Sequence, residues 1–167
     1  MAITFAYGSN MLLAKVSVRA ASAKPRGVAR LEQFALRWNK RSRDGSGKCS
    51  IEEGTQRQNT VWGVLYEMTV SDKERLDRFE GLGHGYEQRE VVVLLDGNRT
   101  LVPAYYATSV DPGVRPYDWY KEQVVAGAIR HRFPAEYIRE LEMVPSIADP
   151  DPDRAARERQ FLQAGPS

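Results

Sequence analysis

Two stretches of this 167-residue chain hold residue types that can do chemistry together. The first is Phe5-Ala6-Tyr7-Gly8-Ser9-Asn10, preceded by Thr4. Ile3, Phe5 and Tyr7 alternate with Thr4 and Ala6, the period of a strand, and Gly8 breaks that period. Where a strand turns through glycine into a helix, the first backbone N–H groups have no internal acceptor. They can face an anion or a developing oxyanion. Ser9 and Asn10 add side-chain hydrogen bonds. The same residues also make an ordinary capped helix after a turn, and the pattern alone leaves both readings open. The spacing is not G-x-S-x-G, which excludes a serine nucleophile elbow.

The second is Glu80. At about 100° per residue, Glu80 lies about 40° around the helix from Leu76, and Phe79 lies about 60° on the other side. This places Glu80 at the edge of the apolar face and at a helix C-terminus, where the dipole disfavours negative charge. Both features raise a carboxyl pKa above about 4.3 and make a candidate general base. An exposed glutamate at a frayed helix end fits the pattern equally well. His84 sits in a glycine loop, and Glu52-Glu53 reads as a solvated turn. The basic run Arg37, Lys40, Arg41, Arg43 and Lys48 reads as a solvated loop rather than a nucleic-acid surface.

The elements that must position these residues follow from pattern. Residues 3–7 form a strand and 11–20 a short helix capped by Ser9 or Asn10. Residues 28–38 read as a second strand. A polar stretch covers 39–60, with a short edge strand around 48–52. Residues 61–68 are a strand. Ser71 and Glu74 form a capping box that opens a helix to Glu80, ended by Gly81. Residues 86–95 and 100–107 are strands joined by Asp96-Gly97, a hairpin signal. Residues 117–132 form an amphipathic helix, and Pro134 opens another to about Met143. Asp149-Pro150-Asp151-Pro152 is a linker, and Asp153 caps a final surface helix. Strands first and helices mainly last imply an α+β fold with a small curved or closed sheet. The domain is expected to span 1–148, with a tail at 149–167.

Composition bounds the function. The chain is 42% hydrophobic and 28% charged with a net charge of +2, the values of a globular domain. That balance argues against a nucleic-acid or membrane partner. The apolar runs are too short for a membrane helix, and the N-terminus lacks the features of a signal peptide. One cysteine, Cys49, and two histidines, His84 and His131, leave no internal disulfide and no zinc set. A cytoplasmic location is the default expectation.

Taken together, the motifs resemble one family. Tyr7-Gly8-Ser9-Asn10 resembles the Y-G-S-N motif of the gamma-glutamylcyclotransferase, or AIG2-like, family. Val61-Trp62-Gly63-Val64 is similar to its V-x-G-V strand. Leu76-Asp77-Arg78-Phe79-Glu80-Gly81 followed by Tyr86 is similar to its L-D-x-x-E-G…Y segment. Residues 42–48 and the pair Tyr120-Lys121 also match, and the matches keep family order across about residues 3–143. The resemblance implies a small mixed β-barrel with flanking helices and Glu80 as general acid/base. Thr4, Phe5, Ala6, Tyr7, Gly8 and Ser9, with Asn10, Tyr86 and Tyr120, would bind a gamma-glutamyl small molecule. The implied reaction folds a gamma-glutamyl amide onto itself, giving 5-oxoproline and an amine or amino acid, with no cofactor or metal. A gamma-glutamylamine or specialised-metabolite enzyme on the same scaffold and a non-catalytic binding module are the alternatives. The expected assembly is a monomer or homodimer.

Overall fold

A computed structural model describes residues 1–56 and 59–163, so residues 57–58 of the polar stretch and 164–167 of the tail lie outside it. The strands are β1 (Ala2–Ala6), β2 (Lys24–Glu32), β3 (Phe34–Arg41), β4 (Gly47–Glu53), β5 (Thr60–Met68), β6 (Tyr86–Leu95) and β7 (Asn98–Ala107). The helices are α1 (Leu13–Arg19), α2 (Val70–Glu80), α3 (Asp118–Arg130), α4 (Ala135–Met143) and α5 (Pro152–Gln163).

Five strands close into a barrel in the order β1-β5-β2-β6-β7. β5 runs antiparallel to both its neighbours, β1 and β2. β7 meets β1 in parallel, with Phe5 opposite Ala104, which makes the barrel mixed as expected. β3 and β4 form a separate hairpin. Phe5, Leu31, Val64, Leu65, Val93 and Val102 are buried in the core. Closure removes the sheet edges that would otherwise template aggregation.

Several boundaries differ from the sequence reading, each for a local reason. The segment 28–38 is two strands, because Gln33 adopts a left-handed φ of 64° and turns the chain. Its N–H and C=O are satisfied by Asn59 and Gly54, so the break is stable. The expected short edge strand extends over Gly47–Glu53 and pairs with β3. Residues 9–11 form a 3-10 turn and α1 starts only at Leu13, with neither Ser9 nor Asn10 capping it through a side chain. α2 begins at Val70, and Thr69 rather than Ser71 caps it by accepting the Asp72 N–H at 3.2 Å. At the other end of α2, Gly81 takes a left-handed φ of 73°, the expected C-cap. α5 is capped by Asp151, which accepts the Arg154 N–H, and Asp153 sits in the first turn.

Candidate active site

One small pocket is lined by all ten residues that the sequence pattern and the resemblance single out. Residues 4–7, at the end of β1, and the turn through Asn10 form one wall. Glu80, Tyr86 and Tyr120 come from α2, β6 and α3. β1 delivers the turn because its apolar residues lock into the barrel: Phe5 is fully buried, and Ala6 pairs with Val64. The turn's own hydrogen bonds run from Met11 N–H to Gly8 O and from Leu12 N–H to Ser9 O. The Ser9 and Asn10 N–H groups therefore have no acceptor inside the turn.

Glu80 arrives from a helix held at several points. Leu76 is buried in the pocket wall one turn earlier. Asp72 accepts hydrogen bonds from Ser22 N–H (2.7 Å) and Ser22 Oγ–H (2.5 Å). Asp77 pairs with Lys73 and accepts the Tyr105 hydroxyl at 2.5 Å. The Tyr105 carbonyl in turn accepts the Tyr7 hydroxyl, which ties α2 to the β1 wall through β7.

The Glu80 carboxylate has two partners. Asn10 Nδ2 donates to Oε1 at 2.8 Å, and Arg19 Nη1 donates to the same oxygen at 2.8 Å. Arg19 Nη1 also donates to Asn10 Oδ1 at 2.8 Å, which closes a triangle. The Glu80 side chain keeps 16% of its surface exposed, so it remains reachable from solvent. Phe79 does not point inward as its angle suggested. It is 62% exposed, and the Arg19 guanidinium covers its ring at 3.6 Å. That stacking fixes the cation beside Glu80.

Comparison with known proteins decides the family. An AIG2-like family profile matches residues 60–141. The chain is 32% identical over 146 residues to gamma-glutamylcyclotransferase from Bos taurus, covering 84% of this chain and 77% of that protein. It is 30% identical over 146 residues to the Homo sapiens gamma-glutamylcyclotransferase, with the same coverage. A solved gamma-glutamyl cyclotransferase superposes with a TM-score of 0.82 at 27% identity, covering 93% of this chain and 98% of that one. The chain belongs to the gamma-glutamylcyclotransferase family.

The remaining geometry of this gamma-glutamylcyclotransferase-family enzyme concerns its phenols and its cysteine. The Tyr120 hydroxyl accepts the Cys49 N–H at 3.0 Å and lies over Gly8, where an added Cβ would meet it at 3.0 Å. The Tyr86 hydroxyl donates to the Cys49 carbonyl at 2.9 Å. Burial raises the pKa of Tyr7, Tyr86 and Tyr120 well above the usual phenol value, so all three stay protonated near neutrality. Burial also pushes Cys49 up to about 12, which leaves it a neutral thiol and a poor nucleophile. Among the described residues no group of three or more His, Cys, Asp or Glu is placed to hold a metal ion. No described helix is long and apolar enough to cross a membrane.

Most of the other sequence candidates lie elsewhere or are already paired, and the basic run is not the solvated loop expected: Arg37, Lys40 and Arg41 sit on β3 and Lys48 on β4. His84 is exposed in the turn after α2. Glu52 pairs with Arg37, Arg41 with Asp111 and Lys48 with Asp44, which neutralises much of the basic run. Arg19 is the functional neighbour that sequence reasoning missed. Leu12, Lys15, Val16 and Arg19 follow the i, i+3, i+4, i+7 spacing of a buried stripe. Two cations on such a stripe are the signal that they are buried against carboxylates.

Proposed function

We propose that this enzyme cyclises gamma-glutamyl amides to 5-oxoproline and releases the amine or amino acid, with Glu80 as the general acid/base. The observation that carries the reading is the meeting of Glu80 with the turn at residues 8–10 in one pocket. The nucleophile and the electrophile are in one molecule, so folding the substrate into one conformer supplies much of the rate. Glu80 takes a proton from the substrate α-ammonium. The freed amine attacks the γ-carbonyl carbon, and a new C–N bond forms as the carbonyl electrons move onto oxygen. The tetrahedral intermediate collapses, and the original amide C–N bond breaks. Glu80 returns its proton to the departing nitrogen, and the ring nitrogen then gives up its second proton to Glu80, which passes it to the released amine; one carboxylate serves every transfer.

The other residues bind and orient. Backbone N–H groups of Ser9 and Asn10 serve the oxyanion or the substrate carboxylate. Tyr86 and Tyr120 wall the glutamyl chain, and Tyr120 is held over Gly8 by the Cys49 N–H. The test is release of 5-oxoproline from a panel of gamma-glutamyl amino acids and amines. Glu80→Gln keeps the shape and removes the base, so turnover falls by at least about 100-fold. Near-native turnover by that variant would refute the role given to Glu80.

A further inference from the structure

A second groove adjoins the pocket and shares Ser9, Glu80, Tyr86 and Tyr120 with it. Five cations line this groove: Lys15, Arg19, Lys40, Lys48 and Arg154. Four of them have a carboxylate. Lys15 pairs with Glu158 at 2.8 Å, Arg19 with Glu80 at 2.8 Å, Lys48 with Asp44 at 2.9 Å and Arg154 with Asp149 at 2.5 Å. Lys40 is the fifth, and among the described residues no carboxylate lies within ion-pairing distance of it.

Lys40 is nevertheless held in place. Its ammonium lies 4.8 Å from the centroid of the Tyr86 ring. Gly85 leaves the space it occupies, since a Cβ there would stand 3.2 Å from Nζ. The residue is half-buried, and burial lowers its pKa while the Glu80 and Asp44 charges act to raise it. A partly desolvated ammonium on an aromatic face, within the field of Glu80 and without its own anion, is a site for an anion carried by the ligand.

The substrate geometry says which anion. If the glutamyl half fills the pocket with the scissile amide at Glu80, as the cyclotransferase reading requires, the adjoining groove that shares Glu80, Tyr86 and Tyr120 is the space open to the group beyond the amide. A leaving amino acid carries a carboxylate on the carbon next to the amide nitrogen, and a simple amine carries none. We infer that Lys40 is the specificity-determining cation of a leaving-group subsite, pairing with the carboxylate of a departing amino acid or peptide. This rests on the cyclotransferase reading above.

The test uses ligands that cannot react. Glutaryl-L-alanine and glutaryl-ethylamide lack the α-amine, so neither cyclises, and both keep the carboxylate of the glutamyl half. They differ in the leaving-group carboxylate. By calorimetry the native protein binds glutaryl-L-alanine about tenfold more tightly than glutaryl-ethylamide. Lys40→Met removes that difference, and Lys40→Arg restores part of it. Equal binding of the two ligands by the native protein, or binding of neither, overturns the inference. Equal weakening of both ligands by Lys40→Met also overturns it, because Lys40 then serves the glutamyl carboxylate or the fold. Release of 5-oxoproline from gamma-glutamyl-alanine is read separately. Lys40-dependent binding without release would sink the cyclotransferase reading and leave the Lys40 subsite standing.

Discussion

Asn10 touches both members of the Arg19–Glu80 pair, donating to the carboxylate through Nδ2 and accepting the guanidinium through Oδ1. Its side chain is thereby used in fixing Glu80, and any service to the substrate runs largely through that carboxylate. Asn10→Ala frees Glu80 on one side while Arg19 still holds it on the other. Turnover is expected to fall about 10- to 100-fold, since small misplacements of a reacting group cost that much. KM is expected to stay within a few-fold, and stability to change by about 1 kcal/mol. Steady-state kinetics on one gamma-glutamyl amino acid decides it. A raised KM at unchanged kcat would make Asn10 a substrate contact instead. At this scale the sequence was informative about Tyr7-Gly8-Ser9-Asn10 and Glu80, because turn chemistry and helix position leave local marks. Arg19 and Lys40 left none that pointed to Glu80. They reach the site across 61 residues of chain in one case and through a separate hairpin in the other, and only tertiary pairing brings them there.

Among the elements, β5 carries the closest packing against the site wall. Gly63 pairs with Ala29 of β2, and a Cβ on it would stand 2.5 Å from the Ala6 carbonyl oxygen and 2.5 Å from the Phe5 ring. Neither neighbour can retreat, because Phe5 is fully buried and Ala6 is paired to Val64. Glycine is therefore required there for lack of space. Gly63→Ala is expected to cost about 1 to 3 kcal/mol, the range for overpacking a closed core. The urea midpoint would report it, and an unchanged midpoint would show that β1 has room to move. The same substitution pushes on the floor of the pocket, so KM should rise with it. The elements legible in the sequence were those with strong period or punctuation: β5, the Asp96-Gly97 hairpin and the Gly81 stop. The break between β2 and β3 was not legible, because a left-handed glutamine at 33 carries no turn signal of its own. The start of α2 shifted from Ser71 to Thr69 because two residues of capping type compete within three positions, and the bond from Asp72 N–H to Thr69 decides between them.

Across the whole molecule, the last described helix returns to the first. α5 packs on α3 and buries Ala155, and Glu158 reaches past α3 to Lys15 of α1 at 2.8 Å. Gln123 of α3 joins the same cluster, donating to Glu158 and accepting from Lys15. The sequence could not show this, since the Arg-rich pattern of α5 looks like any solvated helix and its one buried small residue leaves a weak stripe. Lys15 is 3% exposed, and burial lowers its pKa from 10.5 to about 8 against the opposing pull of Glu158. Between about pH 8 and 10.5 the unfolded chain holds this proton and the folded chain does not. Lys15 therefore adds stability as pH rises through 8, about 1 kcal/mol between pH 8 and 9, and that contribution is lost as pH falls through 8. Glu158 matters most while Lys15 is charged. Glu158→Gln leaves the buried ammonium without its carboxylate and should cost about 2 to 3 kcal/mol at pH 7, below the usual cost of breaking a fully buried pair because Glu158 is 25% exposed. At pH 9 the native lysine is mostly neutral, and the same substitution should cost distinctly less. Urea unfolding of both proteins at pH 7 and pH 9 measures the two differences. Equal costs at the two pH values would mean that Glu158 holds α5 through Gln123 and packing, with the charge on Lys15 contributing nothing to the closure of the molecule.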